Sequence, residues 1–378
     1  MSKSDSKLRV AVIGSTGRGG YGHHLGETFG QIDRTSIVAV VDPDELGRAQ
    51  AAQRLGAKNQ YADYRLMLER EKPDLVVTAP RWPDSRRDMV VACAEAGVKG
   101  IFSEKPFAQT LADADVILDA CDRYGVRVAV AHRRAAAHEQ RLKQMVDAGE
   151  IGDIQVMRGR GKADHRAGSL DLMILGTHIL DGMRYVAGSN VAWAHGHVTQ
   201  DGRPVTKADI REGDEGVGLL AGNRVAAYYT FENGLTAHYE SFEGFPQNAE
   251  DHNSYLGFDV YGTKGIISIG NSPGGELRLH RYGLWVPDTE TRPWERIRIP
   301  EWESDAANAT VNSNLIIVKE LLAAIDEDRE VRHVCSGHDA RAAIEMVFAV
   351  HESNLSGRRV AFPMVNRQNP YATWLSKA

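Results

Sequence analysis

Leu8-Arg9-Val10-Ala11-Val12-Ile13 runs directly into Gly14-Ser15-Thr16-Gly17-Arg18-Gly19-Gly20-Tyr21-Gly22. The first six residues form an apolar, β-branched run of the kind that makes a buried strand. Glycines follow, and a helical stretch is expected from about His23. Strand, glycine loop and helix in that order are what dinucleotide binding requires. Glycines let the backbone turn tightly and approach a pyrophosphate with no Cβ in the way. The spacing is irregular. Gly17-x-Gly19-x-x-Gly22 fits G-x-G-x-x-G but begins three residues late, whereas Gly14-x-Thr16-x-x-Gly19 starts in place with threonine at the middle glycine. An enlarged loop is expected, with Gly14, Ser15, Thr16, Gly17 and Gly19 around the phosphates. A second strand over 36–41 ends in Asp42, about 20 residues beyond the loop, where an acid holds the ribose hydroxyls. A carboxylate there repels a 2′-phosphate, so NAD is expected and NADP is less favoured.

Farther along, an apolar run over 98–102 delivers Ser103-Glu104-Lys105-Pro106-Phe107 to the carboxyl end of another strand. Ligands of open α/β sheets bind outside that end. A lysine there can manage the hydroxyl proton when hydride passes between an alcohol and a nicotinamide. Between these segments, strands alternate with alanine-rich helical stretches, as a parallel doubly wound domain demands. The strand over 75–78 opens into Ala79-Pro80-Arg81-Trp82-Pro83-Asp84, where Trp82 either walls a pocket or caps the surface. The strand over 126–131 delivers His132-Arg133-Arg134.

The whole chain sets bounds on the rest. Its 378 residues suit two domains better than one core. Hydrophobic residues at 42% and charged residues at 25% are ordinary for a globular protein. The net charge of −6 gives no basic footprint for nucleic acid. No apolar run approaches the ~20 residues of a membrane span, and the polar start of the chain has no signal-peptide core. Cys93, Cys121 and Cys335 are isolated, so neither a disulfide framework nor a thiolate metal site is expected. His195-x-His197 has same-face strand spacing but no acid or cysteine cluster with it, so no metal is expected. Cytoplasm is the expected location.

After an amphipathic helix over 139–148 and a strand over 154–159 comes Arg160-Gly161-Lys162-Ala163-Asp164-His165-Arg166-Ala167-Gly168, dense in hydrogen-bond donors. Such a loop suits a polyhydroxylated or anionic ligand. Residues 170–187 read as one helix, with His178 and Asp181 a turn apart on one face. Histidine titrates near neutrality and suits a proton acceptor. Beyond it, 192–199, 215–243 and 258–269 alternate with the period of strands, 274–294 has hairpin character, 312–326 and 336–354 read as helices, and 366–378 as a polar tail.

Four segments together resemble the glucose–fructose oxidoreductase, inositol dehydrogenase and rhizopine-catabolism (Gfo/Idh/MocA) family: the glycine loop with Asp42; Val76-Val77-Thr78-Ala79-Pro80; Glu104-Lys105-Pro106; and Gly176-Thr177-His178-Ile179-Leu180-Asp181. They fall in the family's order. The resemblance implies an α/β architecture: an N-terminal Rossmann domain over 1–130 and a C-terminal α/β domain over 131–378 with a large, mostly antiparallel sheet. It implies an NAD-dependent oxidoreductase acting on a sugar, polyol or glycoside hydroxyl, with Lys105 and His178 catalytic. It places Ala79, Pro80, Trp82, Glu104, Lys105, His132 and Arg133 beside the cofactor and the Lys162–Arg166 loop near the sugar. It also points to a homodimer or homotetramer packed through the sheet face that no segment of the chain is seen to cover.

One position departs from the family pattern. Polyol-oxidising relatives carry an aspartate one turn before the histidine, and this chain has Ile174. Asp171, on a similar face if the helix is regular, or Asp164 is then the replacement acid, or Lys105 and His178 act without one. Glycoside cleavage or epimerisation by transient oxidation, and a non-catalytic NAD-binding regulator, are the alternative functions.

Overall fold

The computed structural model describes residues 7–243, 255–270, 276–282 and 291–377. Two compact units make up the chain. The first comprises Met1–Ala135, Glu215–Val217 and Thr310–Arg341. Its strands are β1 (Leu8–Ile13), β2 (Thr35–Val41), β3 (Asn59–Tyr61), β4 (Leu75–Thr78), β5 (Gly100–Ser103) and β6 (Arg127–Val130). They form one sheet in the order β3-β2-β1-β4-β5-β6, every pairing parallel. Val10, Val12, Val40, Val77 and Phe102 are fully buried, which explains why these strands read as unbroken apolar runs rather than alternating ones. The order turns back between β1 and β4, the switch point at which α/β sheets bind ligands.

Helices α1 (Leu25–Phe29), α2 (Glu45–Leu55), α3 (Tyr64–Glu71), α4 (Arg86–Glu95) and α5 (Leu111–Tyr124) connect these strands. Local sequence sets their ends. Asp44 caps α2 by accepting from the Gly47 N–H at 2.6 Å, and Gly56, at φ 65°, closes it. The helix after the glycine loop starts at Leu25, later than expected, and has only five residues. The glycine run is spent on turns through Gly22 before any helical backbone begins. A late helix, Ala309–Asp326, returns to this unit and puts Ile317, Val318 and Leu321 into its core.

The second unit comprises Ala136–Asp214, Gly218–Ala309 and Ala342–Ala378. Its strands are β7 (Ile154–Arg160), β8 (Val191–Gln200), β9 (Arg203–Pro204), β10 (Arg211–Glu212), β11 (Leu219–Leu220), β12 (Arg224–Phe231), β13 (Thr236–Phe242), β14 (Gly257–Gly262), β15 (Ile266–Gly270), β16 (Glu276–His280), β17 (Glu295–Ile297) and β18 (Val360–Ala361). Ten of them join in a sheet of order β17-β16-β15-β14-β7-β13-β12-β8-β18, with β9 on β8. Among the described residues, β7 and β13 are its one parallel pair. Along β12, Val225, Tyr229 and Phe231 are buried while Arg224 and Ala226 face out, so one face carries the core.

The helices that follow β6 along the chain are α6 (Ala137–Asp147), α7 (Ser169–Asp171), α8 (Thr177–Ala187), α9 (Pro300–Glu303), α10 (the late helix Ala309–Asp326 of the first unit), α11 (Gly337–Ser356) and α12 (Pro370–Ser376). Helix α8 packs on β7 so closely that a Cβ on Gly159 would sit 2.7 Å from the Ile179 side chain.

Three local expectations change. Residues 170–187 do not form one regular α-helix, because Leu172–Gly176 is a π turn between α7 and α8. The span 366–378 is not merely a polar tail. Asn369 caps α12, and Tyr371 is fully buried, its hydroxyl donating to the Ala221 carbonyl at 3.1 Å. The β-period over 215–243 is interrupted at its start, where 214–216 is a 3₁₀ turn. Of the hairpin expected over 274–294, β16 and β17 pair antiparallel, while 271–275 and 283–290 lie outside the described residues.

Candidate active site

The glycine loop leaves β1 as a tight reversal. Ser15 N donates to Gly20 O at 3.0 Å and Gly20 N to Ser15 O at 2.9 Å, presenting Thr16, Gly17 and Arg18 to solvent. Gly14 is buried beneath the Tyr21 ring, where a Cβ would come within 2.4 Å of it. Gly19, at φ 88°, has no room for a side chain either, since its Cβ would lie 2.4 Å from the Arg81 backbone nitrogen. The loop therefore packs directly on the segment after β4.

Asp42, at the end of β2, is fully buried. It accepts from Thr16 N at 3.0 Å, Thr16 Oγ1 at 2.7 Å and Asp44 N at 3.0 Å. The threonine at the middle glycine position thus ties the loop to the acid. Arg48 donates to the Asp42 carbonyl at 2.6 Å. An exposed glycine loop with its acid behind it, at the switch point of the sheet, fits a dinucleotide.

Glu104 joins this loop to the lysine. Its carboxylate is fully buried and accepts from His23 N at 3.0 Å and from Lys105 N at 2.8 Å; the His23 ring nitrogen Nδ1 closes a third contact. Burial alone would raise its pKa. The hydrogen bond and charge of His23, then the Lys105 ammonium and N–H, outweigh burial and hold it down to about 2. A Cβ on Gly22 would lie 2.7 Å from both Ala79 O and Glu104 Cγ, so glycine is required where the loops converge. Lys105 is 6% exposed and precedes a cis proline.

Ala79 and Pro80 are buried and Trp82 is half-buried. Arg18 lies over the Trp82 ring at 4.6 Å and pairs with Asp84, so Trp82 meets the glycine loop at its rim. At the end of β6, His132 is buried and Arg133 half-buried. Arg134, which follows them, pairs with Asp339 at 3.1 Å.

In the second unit, His178 is half-buried on α8 and Asp181 fully buried. Asp171 does not keep the face that counting along a regular helix gives it, because the π turn widens the spiral between it and His178. Its Oδ2 turns to β13 and the preceding loop instead, accepting from Ser241 Oγ at 2.7 Å, Tyr239 OH at 3.2 Å and Lys162 N at 3.0 Å. Burial raises its pKa against those three bonds. Ser241 Oγ also accepts from Gly168 N at 2.9 Å, so Asp171 and Ser241 hold both ends of the 162–168 loop. Ile174, at the family's acid position, is buried.

Within that loop Asp164 is gripped by Arg166 Nη2 at 2.6 Å and Lys162 Nζ at 3.3 Å. Burial would raise its pKa, but the Arg166 bonds and charge, then Lys162, hold it well below the usual carboxylate range. His165 is exposed. His23, Ser241 and Tyr239 carry no signal in the sequence, because their partners lie 68 to 81 residues away.

Comparison with known proteins bears on this geometry. Residues 8–132 match the model of an oxidoreductase family with an NAD-binding Rossmann fold, and residues 140–268 match the GFO/IDH/MocA C-terminal domain. The chain is 28% identical over 268 residues to levoglucosan dehydrogenase of Pseudarthrobacter phenanthrenivorans, covering 64% of this chain and 66% of that protein, just under two thirds of its length. It is 28% identical over 374 residues to D-apiose dehydrogenase of Paraburkholderia graminis, covering 93% and 89%. The fold is also that of a solved levoglucosan dehydrogenase complex with NADH and levoglucosan, at TM-score 0.73 and 21% identity, covering 95% of this chain and 100% of that one.

Proposed function

The chain belongs to the Gfo/Idh/MocA family of NAD-binding oxidoreductases, and from that premise we propose that it moves hydride between the nicotinamide of NAD and a hydroxyl of a sugar, polyol or glycoside. The relatives that act on levoglucosan and D-apiose support this substrate class. The observation that carries the reading is the buried Glu104 carboxylate, which anchors the glycine loop through His23 and Lys105 through its own N–H.

When bound, NAD supplies the hydride acceptor. The N-terminal unit holds it: Gly14, Ser15, Thr16, Gly17 and Gly19 shape the phosphate loop, Asp42 stands behind it, and Ala79, Pro80, Trp82, Glu104, His132 and Arg133 border the nicotinamide side. Lys105 engages the reacting hydroxyl with its ammonium and lowers the cost of removing the proton. His178, with Asp181 in the next turn of α8, receives that proton. Lys162, Asp164, His165 and Arg166 offer donors and acceptors to the other hydroxyls. Asp171 serves this set by holding the loop rather than by reacting.

A panel of sugars and polyols offered with NAD, followed by the absorbance of the reduced cofactor, tests the assignment. Lys105→Ala should lower turnover by ~10²–10⁴-fold, the range for a positioned proton-transfer group, with NAD affinity nearly intact. Turnover at the wild-type rate on the best substrate would defeat it.

The same reading makes the protein a homodimer or homotetramer. Across the outer face of the second unit's sheet run Tyr228, His238, Arg158 and Asp259. Beside them an open concavity of ≈ 420 Å³ is lined by Arg160, Glu240 and Tyr261. Aromatic rings, arginines and both charge signs on one face suit a second copy related by a two-fold axis. Among the described residues no helix is long and apolar enough to cross a membrane. Three buried cysteines, none of them in a disulfide, suit the reducing cytoplasm, the location we infer.

A further inference from the structure

Helix α4 opens with two adjacent arginines of opposite fate. Arg87 is exposed and pairs with Asp88 and Asp113, both at 2.9 Å. Arg86 is 1% exposed and, among the described residues, pairs with no carboxylate. It donates through Nη1 to Glu104 O at 2.5 Å, Ser103 Oγ at 2.8 Å and Thr78 O at 3.2 Å, and through Nη2 to Pro80 O. Burying an unpaired cation is expensive, so its retention calls for a use.

The partners indicate one. Strands β4 and β5 end side by side, and past their ends the carbonyls of Pro80 and Glu104 accept from no backbone N–H among the described residues; besides Arg86, only Ser103 Oγ among those residues reaches Glu104 O, at 3.1 Å. One planar fork supplies both. The Glu104–Lys105 peptide is thereby held at its two ends: the carbonyl by Arg86, and the N–H by the Glu104 carboxylate at 2.8 Å. Burial lowers the guanidinium's pKa to about 10 against the opposing charges of Glu104 and Asp84, so it stays charged at neutral pH. A lysine has one nitrogen and cannot bridge two loops as the fork does.

We propose that Arg86 is a positioning residue, a buried fork that locks the loop after β4 to the loop after β5 and so sets where Lys105 stands. The proposal rests on the reading of Lys105 as the group that engages the hydroxyl. Arg86 itself touches no substrate.

The test measures Arg86→Lys, Lys105→Ala and the double variant for NADH affinity by fluorescence, and for kcat and KM on the best substrate. Arg86→Lys should bind NADH and substrate within about threefold of wild type yet lose about 10²-fold in kcat, the cost of a displacement near 1 Å in a reacting group. On the Lys105→Ala background it should cost almost nothing more, because the two act as a unit. Arg86→Gln, which keeps a planar donor too short to span both loops, answers the same question should Arg86→Lys not fold. A wild-type kcat in a folded Arg86 variant, or a loss that simply adds to that of Lys105→Ala, overturns the proposal while leaving Lys105 in place. A fully active Lys105→Ala overturns both.

Discussion

Replacing Glu104 by glutamine keeps the shape of the side chain and removes its charge at the point where the glycine loop meets Lys105. The carboxylate's pKa falls from an ordinary 4.5 to about 2 in the fold, a preference for the charged form of about 3 kcal/mol at neutral pH. A count of bonds agrees. Three donors reach this carboxylate, and each charge-assisted bond exceeds a neutral one by about 1 kcal/mol. Glu104→Gln should therefore destabilise the protein by about 3 kcal/mol at pH 7. Because the folded pKa is depressed, the stabilisation is complete above pH 4.5 and is lost as pH falls toward 2. The gap between wild type and variant should narrow by more than half by pH 3. Denaturant unfolding followed by circular dichroism at pH 7, 5 and 3 measures it. A variant as stable as wild type at pH 7, or a gap that stays constant down to pH 3, would refute the argument that this carboxylate is held charged.

Three further outcomes are expected. NAD should bind at least about tenfold tighter than NADP, because a 2′-phosphate against the Asp42 carboxylate costs on the order of 1–3 kcal/mol, and Arg48 is engaged on the Asp42 carbonyl; equal affinities in a fluorescence titration contradict this. His351 is buried, and burial lowers its pKa from 6.5 to about 4. It folds neutral while the unfolded chain takes up a proton below pH 6.5, so stability should be full above 6.5 and decline by up to about 3 kcal/mol toward pH 4. A His351→Gln variant should lose that share of the slope; an unchanged acid limb in its thermal midpoint would discount the effect. Solution scattering should show a dimer or tetramer, and Tyr228→Glu on the outer sheet face should dissociate it; a wild-type monomer at micromolar concentration removes the proposed interface.

What the sequence determined by itself is local. Leu8–Ile13, the glycine run, Asp42, and the apolar run leading into Glu104-Lys105-Pro106 carry their meaning in neighbouring residues, because a buried parallel strand must be continuously apolar and a close backbone approach must be glycine. The parallel sheet and the order of its functional loops were legible on those grounds. Tertiary structure alone separates Arg86 from Arg87, adjacent residues of one type of which one is buried among carbonyls and the other solvated. It alone pairs Thr16 with Asp42 across 26 residues, turns Asp171 onto Ser241 through a π turn, and buries Tyr371 of an expected tail against Ala221, 150 residues away. Burial and long-range hydrogen bonding belong to the packed chain as a whole, and no window of sequence contains both partners.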